Sequence, residues 1–352
     1  MDSIFKENIV KKAVRIALKR QLPYHEAHAY QASKFLKTVE SERGTLPKQV
    51  IRECGDYAID ILGDKKYAPW LYVYSAVAGR FKEGWIPANF YEPQVIPNIN
   101  GHYGACANLK PLNSMFFQAK EFPDLGSFVN GLFLDTSYRV RSPQDFKKIL
   151  FHDCDRVIFK TDQTLRGEGI HFFDRISFNV EDLEVLGNGA FQSYVDQHPL
   201  FNEYTPKSVA TIRITTAIND EGKVSARGSY LRLGAAHDTH VQSATAVMIP
   251  IDLVTGVLSD TGYMPTWITT PSHPTSRKEF ADVKIPNYEK CVDVVTSLHL
   301  KVPFARCIGW DVTVDKEGEV VVLEWNGKHN GIKFSEATQG PCFVDMGWEK
   351  FR

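Results

Sequence analysis

The period of the hydrophobic positions changes along the chain, and each change predicts an element. Ile9, Val10, Ala13, Ile16 and Ala17 recur at helical spacing with lysines and arginines between them, which predicts a first helix. A second helix is predicted from His25 to about Glu42. From Trp70 to Asn108 aromatics, Gly and Pro crowd together, and Pro87, Pro93 and Pro97 break any long element. That stretch reads as an irregular connection packed on the core. Arg156 to Thr161 is a short apolar strand, followed by a polar, glycine-containing loop from Asp162 to Gly169 and a second strand from Ile170 to Phe173. A helix-like stretch near Val180 to Leu186 and a strand from Ala190 to Val195 complete the middle.

The last part is patterned as hairpins. From Ser208 to Ile218, Ile212, Ile214 and Thr216 alternate with Thr211, Arg213 and Thr215. The Asn219-Asp220-Glu221-Gly222 turn sends the chain back through Lys223 to Leu233. Ala244 to Ile251 is a further strand, and Asn287 to Leu300 an amphipathic helix with Val292, Val295 and Leu298 on one side. A second hairpin runs from Cys307 to Val314, turns at Asp315-Lys316-Glu317-Gly318, and returns through Val320 to Trp325. No internal repeat is visible. Helices and strands in this order predict an α+β fold.

Composition narrows the function classes. The chain has 352 residues, enough for two or three packed lobes. A formal net charge of -1 gives no global field toward nucleic acid or an acidic membrane. The six cysteines are scattered without a C-x-x-C pair, so neither a zinc site nor a disulfide framework is indicated. Lys6, Lys11, Lys12, Arg15, Lys19 and Arg20 interrupt the apolar stretch that a signal peptide would need, and no run reaches membrane-spanning length. The expectation is a soluble chain with free thiols in the cytoplasm, with no transmembrane segment and no nucleic-acid partner.

Three groups of residues carry candidate chemistry. Asp311 lies on one strand of the last hairpin, roughly opposite Glu324, and Asn326 is two residues further on the same face. Two carboxylates and an amide oxygen suit a hard cation such as magnesium. A solvent-facing acidic strand satisfies the same pattern, although apolar neighbours on both strands argue for partial burial. Lys160 ends a strand and precedes Arg166, Gly167 and Gly169, a loop that could approach a polyphosphate closely; a solvated strand-end lysine beside an ordinary turn remains the alternative. Arg213, Arg227 and Arg232 sit on adjacent strands, suited to bidentate binding of carboxylate or phosphate or to cross-strand pairing with acids. Few acidic residues lie in their own hairpin, which favours the ligand. The His237, Asp238 and His240 cluster lacks zinc-motif context and reads as a polar loop.

The order of these features resembles the ATP-grasp superfamily, and within it the sugar-transfer-associated ATP-grasp group. The matching text is Gln192-Ser-Tyr-Val-Asp-Gln-His198-Pro, Pro206-Lys-Ser-Val-Ala-Thr-Ile-Arg-Ile214, Leu231-Arg-Leu-Gly234, His273-Pro-Thr-Ser, Ile308-Gly-Trp-Asp311-Val and Leu323-Glu-Trp-Asn326. It covers about Lys110 to the C-terminus. The resemblance implies two α+β lobes sandwiching ATP behind an N-terminal helical region. Its implied boundaries are 1–75 for the helical region, 76–134 for the first part of the grasp, 135–190 for the lid lobe and 191–352 for the C-terminal lobe.

The resemblance also implies roles. Lys110 and Lys160 would contact the ATP phosphates, with Arg166, Gly167 and Gly169 closing over them. Gln192, Ser193, Tyr194 and Val195 would form the hinge strand beside the adenine. Asp311, Glu324 and Asn326 would hold Mg2+, and the catalytic Arg213 and Arg232 would grip the phosphoryl group or acyl phosphate. The implied reaction joins a small-molecule carboxylate to an amine or similar nucleophile, on a substrate linked to a sugar or surface polysaccharide. A small-molecule kinase or a non-catalytic nucleotide-binding or partner-binding protein would use the same site. After Leu231-Arg-Leu-Gly234 the family has Asp-Asn and Gly-Gly, whereas this chain reads Ala235-Ala-His-Asp-Thr-His-Val. That departure falls on the acceptor pocket and marks a different substrate.

Overall fold

The computed structural model describes residues 24–164, 169–235, 238, 240–241, 245–328 and 330–352. The helix expected over Ile9 to Ala17 lies outside them, as do Arg166, Gly167 and His237. The chain divides into two compact units, Met1–Val95 with Glu336–Arg352, and Ile96–Ser335.

The first unit holds helices α1 (Tyr24–Arg43), α2 (Lys48–Asp60) and α3 (Ala68–Ala78). Helix α3 packs on both α1 and α2. It buries Trp70, Leu71, Val73, Tyr74 and Val77, so it is apolar all round. A helix without a polar face has no 3.6-residue period in its sequence. That is why the stretch from Trp70 onward, expected to be irregular, begins inside a helix.

The second unit contains two antiparallel sheets. The first comprises β1 (Asp124–Val129), β2 (Leu132–Asp135), β3 (Val140–Arg141), β4 (Arg156–Thr161), β5 (Ile170–Asp174) and β6 (Gly189–Ser193), in the order β3-β2-β1-β6-β4-β5. One face carries Phe128, Phe133, Phe159, Phe173 and Phe191, packed under helices α4 (Pro143–Leu150) and α5 (Val180–Leu186). The other face has a different chemistry. Asp124 pairs with Gln192, Ile158 with Gln192, and Lys160 with Ala190, so these side chains share one side of the sheet. The sheet runs across the boundary expected at 134/135. Strand β6 ends at Ser193, so Tyr194 and Val195, expected in the strand, follow it instead.

The second sheet comprises β7 (Thr211–Ile218), β8 (Val224–Leu233), β9 (Val247–Pro250), β10 (Gly262–Tyr263), β11 (Thr269–Thr270), β12 (Cys307–Val314) and β13 (Val320–Asn326), in the order β11-β10-β9-β8-β7-β12-β13. Ile212, Ile214, Leu231 and Trp310 form its core with Cys291, Val295 and Leu298 of helix α6 (Tyr288–His299). The pairing of β12 with β13 contains a β-bulge. Asp311 faces Glu324 but Val312 faces Val322, which leaves Leu323 as the extra residue. Strict alternation would send Glu324 to the side of Val320 and Val322, both buried in the core. The bulge reverses the parity, so Val322 and Trp325 go inward while Glu324 and Asn326 share the opposite face.

Glu336 is a fully buried acid in the first unit. Its Oε2 accepts from Ile86 N at 3.0 Å and its Oε1 from Cys342 N at 2.9 Å. Burial pushes its carboxyl up to about 7, with these hydrogen bonds offsetting part of the cost. The unfolded chain binds that proton only below about 4.5. The contribution of Glu336 to stability is therefore complete below about pH 4.5 and is lost as pH rises to about 7, a change of about 3 kcal/mol. Urea unfolding of wild type and Glu336→Gln across pH 4–8 should give a difference curve that slopes through this window and is flat above it. A flat difference throughout would mean that the fold leaves the Glu336 carboxyl at its unfolded proton affinity.

Candidate functional site

The second sheet lines up its charged residues by register. Arg213 on β7 pairs with Asp311 on β12, which pairs with Glu324 on β13. Arg213 Nε and Nη2 donate to the two Asp311 oxygens at 2.6 and 2.9 Å, and Nη1 donates to Asn330 O at 3.1 Å. A Cβ at position 309 would come within 3.0 Å of Arg213 Nη1, so Gly309 leaves the room the guanidinium occupies. Arg232 lies diagonally across β8, its Nη1 3.9 Å from Asp311 Oδ2. The scarcity of acids within the arginines' own hairpin was read as favouring a ligand; instead the partner of Arg213 comes from β12. Asn326 Nδ2 donates to Gly309 O at 3.2 Å, with Asp311 Oδ2 at 3.5 Å. That contact fixes which end of the amide is nitrogen.

The two carboxylates of this row differ in proton affinity. Burial would raise Asp311, but the charges of Arg213 and Arg232 outweigh it and hold the carboxyl below its usual range. Burial and the neighbouring Asp311 charge push Glu324 up, against the pull of Lys110 and Lys160.

Both candidate lysines reach this row. Lys160, at the end of β4, donates to the carbonyl of the bulge residue Leu323 at 3.0 Å. Burial lowers its pKa, opposed by Glu324 and Asp124. Lys110 opens a short 3-10 turn, Lys110–Leu112. Its Nζ donates to Thr161 O at 3.1 Å and lies 3.9 Å from Glu324 Oε1. Its backbone N–H donates to Asp162 Oδ1 at 3.0 Å, which ties the turn to the start of the glycine loop. The loop closes at Gly169, whose carbonyl accepts from Thr161 N at 2.9 Å. At φ +78, a Cβ there would collide with Thr161 Oγ1, so only glycine fits.

The segment after β6 is mixed. Gln192 is buried and donates from Nε2 to Asp124 Oδ1 at 2.7 Å. Ser193 N donates to Pro123 O at 2.8 Å. Tyr194 is exposed and Val195 buried. Asp124 and Asn113 were missed in the sequence. Their signal was an acid opening an apolar run and an asparagine beside Lys110, neither of which stands out without the partner strand. Asp238 accepts from Ala235 N at 2.8 Å and from Thr245 Oγ1 at 2.6 Å, the polar-loop arrangement expected there.

Asp311, Glu324 and Asn326 offer only oxygen donors from one face, which fits a hard divalent cation. The set relies on an amide: among the described residues no group of three His, Cys, Asp or Glu is placed to hold a metal. No described helix is long and apolar enough to cross a membrane.

No curated protein is a significant match to the chain. Among solved structures, N5-carboxyaminoimidazole ribonucleotide synthetase from Thermotoga maritima is 11% identical, covering 72% of this chain and 56% of its own, with a TM-score of 0.39. Biotin carboxylase from Campylobacter jejuni is 13% identical over 90% and 68%, at 0.44. The D-alanine-D-alanine ligase from Coxiella burnetii is 11% identical over 72% and 60%, at 0.41. The chain spans from 35% to 62% of the length of the first four structures it matches. The family model described as sugar-transfer associated ATP-grasp matches residues 187–346, the segment that carries Arg213, Arg232, Asp311, Glu324 and Asn326. That segment is similar to the sugar-transfer associated ATP-grasp family.

Proposed function

We propose that the protein is an ATP-dependent carboxylate–amine ligase that works through an acyl phosphate, on a substrate linked to a sugar or a surface polysaccharide. The observation that carries this reading is the meeting of Lys110 and Lys160 with the Asp311–Glu324–Asn326 face in one unit. A carboxylate oxygen of the acid attacks the γ-phosphorus and ADP leaves. The amine nitrogen then attacks the acyl carbon, loses its proton, and inorganic phosphate departs. Lys110 and Lys160 bind phosphate oxygens, and Arg232 faces the charge that develops on the transferred group. Arg213 is committed to Asp311 and Asn330 O, so it acts by holding Asp311 rather than by touching substrate. Magnesium held by Asp311, Glu324 and Asn326 would supply charge neutralisation for the phosphates.

Two measurements test this. Candidate acids crossed with amines should release ADP and free phosphate only when both are present, with mass analysis finding the condensed product. Phosphate retained on the product would make the enzyme a kinase instead. Glu324→Gln should lose at least about 100-fold of the ADP release at an unchanged far-ultraviolet spectrum; full turnover in that variant would remove Glu324 from the site.

Arg213→Met leaves the buried Asp311 charge with Arg232 as its nearest cation. Breaking a buried pair from one side costs about 3–5 kcal/mol. Urea unfolding should show a loss of that order; a loss below about 1 kcal/mol would mean that Asp311 is neutral in the wild-type fold.

A further inference from the structure

The turn between β2 and β3 holds a residue in a conformation that its side chain disfavours. Asp135 N donates to Arg139 O at 3.1 Å and Tyr138 N to Asp135 O at 2.9 Å, which closes a three-residue loop over 136–138. The last residue of such a loop lies in the left-handed region, a place that glycine usually takes. Here it is Tyr138, at φ +59. A bulky residue there is strained, and strain persists only where the surroundings enforce it. Asp135 enforces it. Its Oδ1 accepts from Ser137 N and Arg139 N, and its Oδ2 from Arg139 Nε and from Arg141 Nε and Nη2. Burial would raise this carboxyl, but these donors outweigh it and pull it down to about 2, so the turn stays locked near neutral pH.

The strain does not serve core packing, since the Tyr138 ring belongs to neither apolar cluster of the two sheets. It delivers a hydroxyl. Tyr138 Oη donates to Pro111 O at 2.7 Å and accepts from Met115 N at 2.9 Å. Met115 N–H lies in the first turn of the short helix Asn113–Phe117, where amides have no partner within the helix. Beneath this strap the packing is incomplete. A cavity of about 10 Å³, room for one water, is lined by Pro111, Ser114 and Tyr138 with Asp124, Ser127 and Ala190 of the first sheet. Residues 111–115 therefore border a void, and hydrogen bonds from the hairpin turn hold them where side-chain contact is missing. Pro111 is the neighbour of Lys110, whose Nζ reaches Thr161 O and Glu324. From this we infer that Tyr138 is a positioning residue for Lys110: it holds the turn over the cavity so that the ammonium meets Glu324. The inference rests on the proposed phosphate-binding role of Lys110 and adds the residue that sets its reach.

Tyr138→Phe keeps the ring and removes both hydrogen bonds. Equilibrium titration with magnesium ADP should show binding about tenfold weaker than wild type. In the Lys110→Ala background the same change should alter the affinity by less than about twofold, because the group it acts through is gone. A merely structural role would weaken binding by the same factor in both backgrounds. That result, or an unchanged affinity in folded Tyr138→Phe, would overturn the inference and leave the ligase reading standing. Should Tyr138→Phe fail to fold, Tyr138→Asn removes the same two hydrogen bonds and relieves the turn, since asparagine tolerates the left-handed region. It should show the same loss and the same dependence on Lys110. A wild type that binds no magnesium ADP, or a Lys110→Ala variant that binds it as tightly as wild type, would overturn both the inference and the proposed role of Lys110.

Discussion

The site depends on keeping a carboxylate charged inside a sheet. Asp311 is only 7% exposed, and an isolated ion in that position would take up a proton rather than stay charged. Two arginines prevent this, one by a bidentate contact and one at longer range. The arrangement has backbone consequences. Arg213 must lie flat across β12, which requires Gly309 beneath it. Asn330 must turn its carbonyl toward the guanidinium. The loop after β13 and the register of β7 against β12 are thus tied to one ion pair.

A second constraint comes from the bulge at Leu323. A residue without a ladder partner leaves its carbonyl in need of a donor. Lys160 from the other sheet supplies one. The same irregularity that turns Glu324 out of the core therefore also draws Lys160 to it. Lys110 approaches the same carboxylate from a separate turn, itself held by Asp162. One extra residue in one strand brings acid and amines together.

Much of this was legible in the sequence, and the limits are physical. The β12–β13 hairpin announced itself by alternation and a glycine turn, and the opposition of Asp311 and Glu324 followed from counting back from Gly318. Counting could not reveal the bulge, because Leu323 is apolar like its neighbours and breaks no pattern. The β1–β2 hairpin went unread although Asn130-Gly131 marks it; both residues have positive φ, as a two-residue turn of the primed kind requires. Its strands are short, six and four residues, and without that turn they resemble loop. The partner of Arg213 was invisible for another reason: it lies 98 residues away, whereas the acids within its own hairpin, Asp220 and Glu221, sit in the turn.

The Trp325 indole couples the β13 strand to the turn that begins at Lys110. Trp325 must face the core for Glu324 and Asn326 to face outward, since neighbours on a strand alternate. Its indole N–H then has to find an acceptor inside the protein, and Asn113 is the group that meets it. Asn113 follows the turn that begins at Lys110, so the tryptophan also fixes where that lysine starts. A substitution at Trp325 would therefore disturb both the Glu324–Asn326 face and the Lys110 turn, although it touches only the first of these along the chain. Directionality fixes this contact: an indole N–H cannot accept, so Asn113 has a single amide orientation, with its oxygen toward the tryptophan.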